Sequence, residues 1–159
     1  MEMARPAIRR IAHEILVTEG PVPLERLLAT VCRRFGYSRL GDTKRAELTD
    51  SIATQFDVVD GFVWPIGVDP ETWRGARRSP STAVRSLAEI SPQEVINAME
   101  LVLRESFSIT RDDLLKETAE ILGYGRVSEQ GRSWLGAALE RALAQNRIIT
   151  DGERLTLTT

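Results

Sequence analysis

The chain carries one pattern twice, 87 residues apart, and this duplication limits what it can fold into more than any other feature. Residues 7–56 lie on residues 94–143 without a gap. Eight positions are then identical: Leu16/Leu103, Leu27/Leu114, Leu28/Leu115, Gly36/Gly123, Tyr37/Tyr124, Arg39/Arg126, Arg45/Arg132 and Leu48/Leu135. Beyond position 56 a four-residue offset sets Val58-Val59-Asp60-Gly61 on Ile149-Thr150-Asp151-Gly152. A chain of 159 residues has room for two small cores of roughly 65 residues and a connection. The predicted organisation is a first repeat over 1–65, a structured strap over 66–90 and a second repeat over 91–159.

Within the first repeat, Ile8, Ile11, Ala12, Ile15 and Leu16 recur at helical spacing until Gly20 and Pro21 interrupt it. Leu24, Leu27, Leu28, Val31 and Phe35 make a second amphipathic helix, ended by Gly36 in the position of a left-handed cap. A third helix after Asp42 buries Leu48, Ile52 and Phe56, and Asp60-Gly61 between Val58-Val59 and Phe62-Val63-Trp64 reads as a two-residue hairpin. In the second repeat Ser91-Pro92-Gln93-Glu94 reads as a full capping box. Thr110 with Asp113, and Ser128, start the next two helices; Gly123 ends the middle one, and Asp151-Gly152 turns the last hairpin. Ser108-Ile109 and Pro21-Val22 are the expected short first strands. The expectation is a mainly α protein with short β-hairpins (α+β), a tandem of winged helix-turn-helix repeats.

Composition narrows the chemistry. One histidine, His13, and one cysteine, Cys32, leave no ligand set for zinc and no internal disulfide. No phosphate-binding loop or nucleophile elbow is present, since Gly123 and Gly125 lack a following Gly-Lys-Ser/Thr. No catalysis, metal or cofactor is expected. Apolar runs of only a few residues argue against a membrane span, and the chain reads as cytoplasmic. The net charge of −2 hides a division, with 9 basic and 9 acidic residues over 1–65, 4 and 3 over 66–90, and 8 and 11 over 91–159. A nucleic-acid footprint must therefore be local. Residues 33–45 are the best place for one, because Arg33, Arg34, Arg39, Lys44 and Arg45 face only Asp42.

Other side chains carry two readings each. The repeated Gly-Tyr-x-Arg, at Gly36 to Arg39 and Gly123 to Arg126, fits a helix end, with the tyrosine over the core edge and the arginine bonding a helix-end carbonyl or a phosphate. Arg45 and Arg132 lean to the buried side of their helices, which favours internal pairing. Trp73, followed by Arg74, Arg77, Arg78 and Ser-Pro-Ser at 79–81, either packs the strap into the groove between repeats or joins those arginines in a nucleic-acid contact. Trp134 lies opposite the stripe of Leu135, Leu139 and Leu143, where it suits a second protein surface or a nucleobase. Trp64, aligned with Leu155, reads as core. The outer face of the first repeat's third helix presents Thr43, Ala46, Glu47, Asp50, Ala53 and Thr54, whose carboxylates repel phosphate.

The strap residues Asp69 to Trp73, Arg85, the run Ile90-Ser91-Pro92-Gln93-Glu94, the turn Leu122 to Arg126, and Ile148-Ile149 with Asp151-Gly152 together resemble a bacterial family. It is a C-terminal domain family of unknown function found in very large superfamily-one helicase-like proteins with an endonuclease-like domain. The likeness spans about residues 15–158. It implies an accessory module in bacterial DNA transactions such as repair or defence against foreign DNA, and carries no catalytic residue onto this chain. Two functions are therefore expected. One is phosphate-based engagement of DNA through Arg39, Lys44, Arg45, Arg77, Arg78 and Arg126, beside helicase or nuclease domains of the same or a partner protein. The other is protein docking or homodimerisation through Trp73 and Trp134.

Overall fold

In the computed structural model, which describes residues 4–80 and 85–158, the chain divides into two compact units, Met1–Thr72 and Trp73–Thr159. The division falls inside the expected strap. Residues 73–80 belong to the second unit, and Ser81 of the Ser-Pro-Ser stretch lies outside the described residues.

The first unit runs α1 (Arg5–Glu19), β1 (Val22–Pro23), α2 (Leu24–Arg34), α3 (Asp42–Ala53), β2 (Val58–Val59) and β3 (Phe62–Val63). The second repeats that order as α4 (Pro92–Ser106), β4 (Ile109–Thr110), α5 (Arg111–Ile121), α6 (Glu129–Ala144), β5 (Ile148–Asp151) and β6 (Arg154–Leu157), preceded by a 3-10 turn at Leu87–Glu89. Each unit has a three-stranded antiparallel sheet in which the hairpin's second strand is central: β1-β3-β2 and β4-β6-β5. The protein is thus α+β. No helix of the described residues is long and apolar enough to cross a membrane.

The apolar periodicity places the cores. Ile8, Ile11, Ala12, Ile15 and Leu16 are the buried residues of α1, and they meet Leu27, Leu28, Val31, Leu48, Ile52, Phe56 and Val63 in one cluster. The second cluster is larger. It is centred on Val95, Ile96, Met99, Leu103, Leu114, Leu122, Leu135, Leu139 and Ile148, and it also takes in Leu87, Ile90 and Tyr124. Trp64 is buried, as expected of core.

Gly36 and Gly123 close α2 and α5 in the same manner. Gly36 donates to Arg33 O and Tyr37 to Cys32 O, while Gly123 donates to Glu120 O and Tyr124 to Ala119 O. Both glycines have positive φ, 80° and 98°, as this paired C-terminal bond pattern demands. Gly123 has a second constraint, since a Cβ there would lie 2.5 Å from the Ser79 carbonyl oxygen.

Three local expectations are corrected. First, the strands opening each sheet sit one residue later than expected, at Val22–Pro23 and Ile109–Thr110. Second, Val22 faces Val63, 41 positions on, whereas Ile109 faces Leu155, 46 positions on. The extra length is therefore five residues rather than four, and Leu155 answers to Val63 rather than to Trp64. The hairpins turn differently as a result. Asp60 and Gly61 both have positive φ between Val59 and Phe62, but Asp151 pairs with Arg154 so that Gly152-Glu153 makes the second turn. Third, the capping box at α4 is only half formed. Ser91 Oγ accepts from Glu94 N at 3.2 Å, but the Glu94 carboxylate goes elsewhere. The caps at Thr110 and Ser128 form as expected, accepting from Asp113 N at 3.3 Å and Gly131 N at 3.1 Å.

Candidate nucleic-acid interface

The corner between α2 and α3 gathers Arg33, Arg34, Arg39, Lys44 and Arg45, five of the nine basic residues of 1–65. The left-handed cap at Gly36 turns the chain sharply, so that the end of α2, the loop and the start of α3 converge. Tyr37 and Leu40 pack partly buried against the core. Cys32, buried and unbridged, lies 3.7 Å from the Arg39 carbonyl oxygen. With the loop pinned this way, Arg34 and Arg39 stand exposed, and no side-chain partner meets either among the described residues. Lys44, on the first turns of α3, sits over the Tyr37 ring with its ammonium 3.6 Å from the centroid, a cation–π contact that fixes its position. Arg33 is tied back along its own helix to Ala29 O and Thr30 Oγ1. Arg45 is paired with Glu25, the internal pairing its helical position favours, so its charge is already engaged.

The outer face of α3 is exposed as expected at Thr43, Ala46, Glu47, Asp50, Ala53 and Thr54. It offers two carboxylates and no Arg, Asn or Gln, so it lacks the donors that read base edges. What this corner offers an anion is charge, not sequence readout.

The strap arginines are placed otherwise. Glu94 is fully buried, and its carboxylate accepts from Arg77 N at 2.8 Å, Arg77 Nη2 at 2.8 Å and Arg85 Nη1 at 3.3 Å, while Arg85 Nη2 donates to Arg77 O at 2.9 Å. A buried carboxylate requires such partners, because stripping it of water costs several kcal/mol, a penalty of order ~3 or more. Arg77 is thus already engaged by Glu94, with its side chain 31% exposed. Arg78 is exposed but lies along the end of α5, its Nη1 3.4 Å from Glu120 O. Arg126, like Arg39, is exposed with no side-chain partner among the described residues.

Both tryptophans expected to meet partners are held inside the second unit. Trp134 Nε1 donates to Ile90 O at 3.1 Å, and its ring packs against the core cluster. The position is opposite the helix's own stripe, yet the 3-10 turn and Ile90 cover it. The Trp73 ring covers Gly75 so closely that a Cβ there would be 2.3 Å away, and Asn97 Nδ2 donates to the carbonyls of Trp73 and Gly75 at 3.0 and 2.8 Å. The strap thus folds onto α4. Asn97 also accepts from Arg147, which donates to Glu100 at 2.7 Å. This buried polar network escaped sequence reasoning. Its one signal was Glu94 itself, whose spacing from Ser91 reads as a helix cap.

His13 is exposed on α1. Among the described residues no three His, Cys, Asp or Glu side chains converge as a metal site requires. Residues 1–46 match a family described as a protein of unknown function, DUF3320. That match covers α1, β1, α2 and the start of α3, the elements that build the basic corner. No curated protein and no solved structure matches the chain significantly.

Proposed function

We propose that each unit is a winged helix-turn-helix and that the pair forms a non-catalytic accessory module of a bacterial helicase–nuclease type protein, engaging DNA through its phosphates. Helix, strand, helix, helix and hairpin in that order, with the hairpin's second strand central, is the order of a winged helix. In this reading α2 and α3 are the helix-turn-helix pair, with Gly36 at the turn. The carrying observation is the first unit's corner, where Arg34 and Arg39 stand exposed and Lys44 is fixed on Tyr37. The carboxylates of α3 limit this grip to the backbone, which makes the module a holder of DNA rather than a reader of sequence. Docking through Trp73 and Trp134 is the weaker alternative, because both rings already pack within the second unit.

The test is fluorescence anisotropy of labelled duplex, forked and single-stranded DNA over a salt series. Three phosphate contacts predict that the logarithm of affinity falls against the logarithm of salt with a slope of about −2.7 on duplex, whatever its sequence. No binding at low salt removes the reading.

A further inference from the structure

The corner that the first unit fills is open in the second. In the first unit Arg45 crosses to Glu25, and Lys44 lies on Tyr37. The 87-residue offset puts Arg132, Asp112, Gly131 and Tyr124 at these four places. Asp112 is one methylene shorter than Glu25, no ion pair joins Arg132 to Asp112 among the described residues, and Gly131 is packed against Val127 and Leu87 rather than set over the tyrosine. A cavity of about 120 Å³ lies at this corner, floored by Leu115, Tyr124 and Val127 and rimmed by Lys116, Arg132 and Asp112. An apolar cavity of ~150 Å³ holds a benzene molecule, so this one suits a single aliphatic side chain.

The rim sets the charge of the occupant. Lys116 and Arg132 are exposed and meet no side-chain partner among the described residues, and they outnumber Asp112 two to one. The Tyr124 hydroxyl is already donated to Arg85 O, so its ring, not its hydroxyl, serves the pocket. On the other side of Lys116, Asp113, Glu117 and Glu120 of α5 line a separate, shallower depression. A polyanion laid across Lys116 would run into these carboxylates, whereas a single carboxylate beside an apolar group avoids them. We infer that this pocket receives one aliphatic side chain from a segment of a partner protein, with a single neighbouring carboxylate set between Lys116 and Arg132. The inference is independent of DNA binding by the first unit.

The probe is a pair of blocked peptides, acetyl-Ser-Leu-Asp-Ser-amide and its Asn counterpart, titrated into the full ¹⁵N-labelled chain. The expected result is saturable amide shifts confined to the α5–α6 corner, about tenfold weaker for the Asn peptide, the loss of one charge-assisted contact. Lys116→Ala should abolish the preference for Asp. Asp112→Glu, which restores the reach Glu25 has in the first unit, should weaken binding by engaging Arg132. Spectra of the free variants report that both remain folded, as exposed rim positions predict. Absence of saturable shifts, equal shifts from both peptides, unchanged binding in both variants, or a stronger response at this corner to a hexathymidylate would each overturn the inference.

Discussion

The two units share a framework and differ in what covers their first helix. On α1 the positions Ala7, Arg10 and His13 are partly or fully exposed, and Arg10 pairs with Glu14. On α4 the equivalent positions are Glu94, Asn97 and Glu100, the first two buried, because residues 73–80, Arg85 and Arg147 lie over them. A strap made one face of a duplicated helix into interior. The polar residues it enclosed are satisfied because it brought arginines and backbone carbonyls with it. The α2–α3 and α5–α6 corners diverge in the opposite sense. Arg33 and Arg34 stand where the second unit has Glu120 and Ile121, and Lys44 where it has Gly131. Framework residues repeat, and the surfaces around them differ in charge and burial.

The largest effect is expected where the units differ most. Glu94→Ala would strand Arg77 and Arg85 in a mostly dry site and destabilise the second unit by about 3–5 kcal/mol. Hydrogen exchange should then speed up across α4, α5 and α6 while α1 to α3 keep their protection; uniform loosening would show that the network is not local. Trp134→Ala removes a ring packed on the core and a hydrogen bond to Ile90 O, at a cost of about 2–3 kcal/mol in urea denaturation. A folded Trp134→Ala chain of unchanged stability that loses a binding partner would restore the docking role.

Gly20 and Phe107 provide a smaller and oppositely signed comparison. Both follow the first helix of their unit with positive φ, 70° and 59°, but Phe107 is 84% exposed and centres a tight turn in which Ser108 N donates to Ser106 O at 2.7 Å. Such a turn is strained for any residue with a Cβ. Phe107→Gly should therefore stabilise the second unit by about 1 kcal/mol, raising its Tm by about 4–8 °C; a lower Tm would mean the exposed ring contributes packing. Smallest is Glu25→Gln, which cuts the half-exposed pair with Arg45 and should alter stability by no more than about 0.5 kcal/mol in the same denaturation assay.

Much of the fold was legible because it rests on local rules. The five apolar positions of α1, the glycines that end α2 and α5, and the caps at Thr110 and Ser128 each follow from spacing and backbone chemistry. The exposed face of α3 was legible for the same reason, helical periodicity. What escaped depends on contacts distant in sequence. Arg77 reads as a free cation until Glu94, 17 positions away, is seen beneath it, and Trp134 reads as outward-facing until Ile90 covers it. The hairpin offset is hidden in the sequence because Asp-Gly occurs in both hairpins, at the centre of one turn and one residue early in the other. Asp69, Arg85, Glu94 and Gly123 lie outside the 1–46 family match and act as scaffold. Asp69 Oδ1 accepts from Glu71 N, Arg85 and Glu94 pair, and Gly123 lets Ser79 approach. They explain the fold and are silent on ligand.

The division of labour between the two corners is tested most directly by one matched comparison. Arg34, Arg39 and Lys44 are reversed to Glu in one variant, and Lys116, Arg126 and Arg132 in another, and both are titrated with labelled duplex at low salt. The expected result is loss of binding and of most of the salt dependence in the first variant, with the second losing affinity only slightly. Equal losses in both, or binding unchanged by the first set, would contradict a DNA grip seated in the first unit.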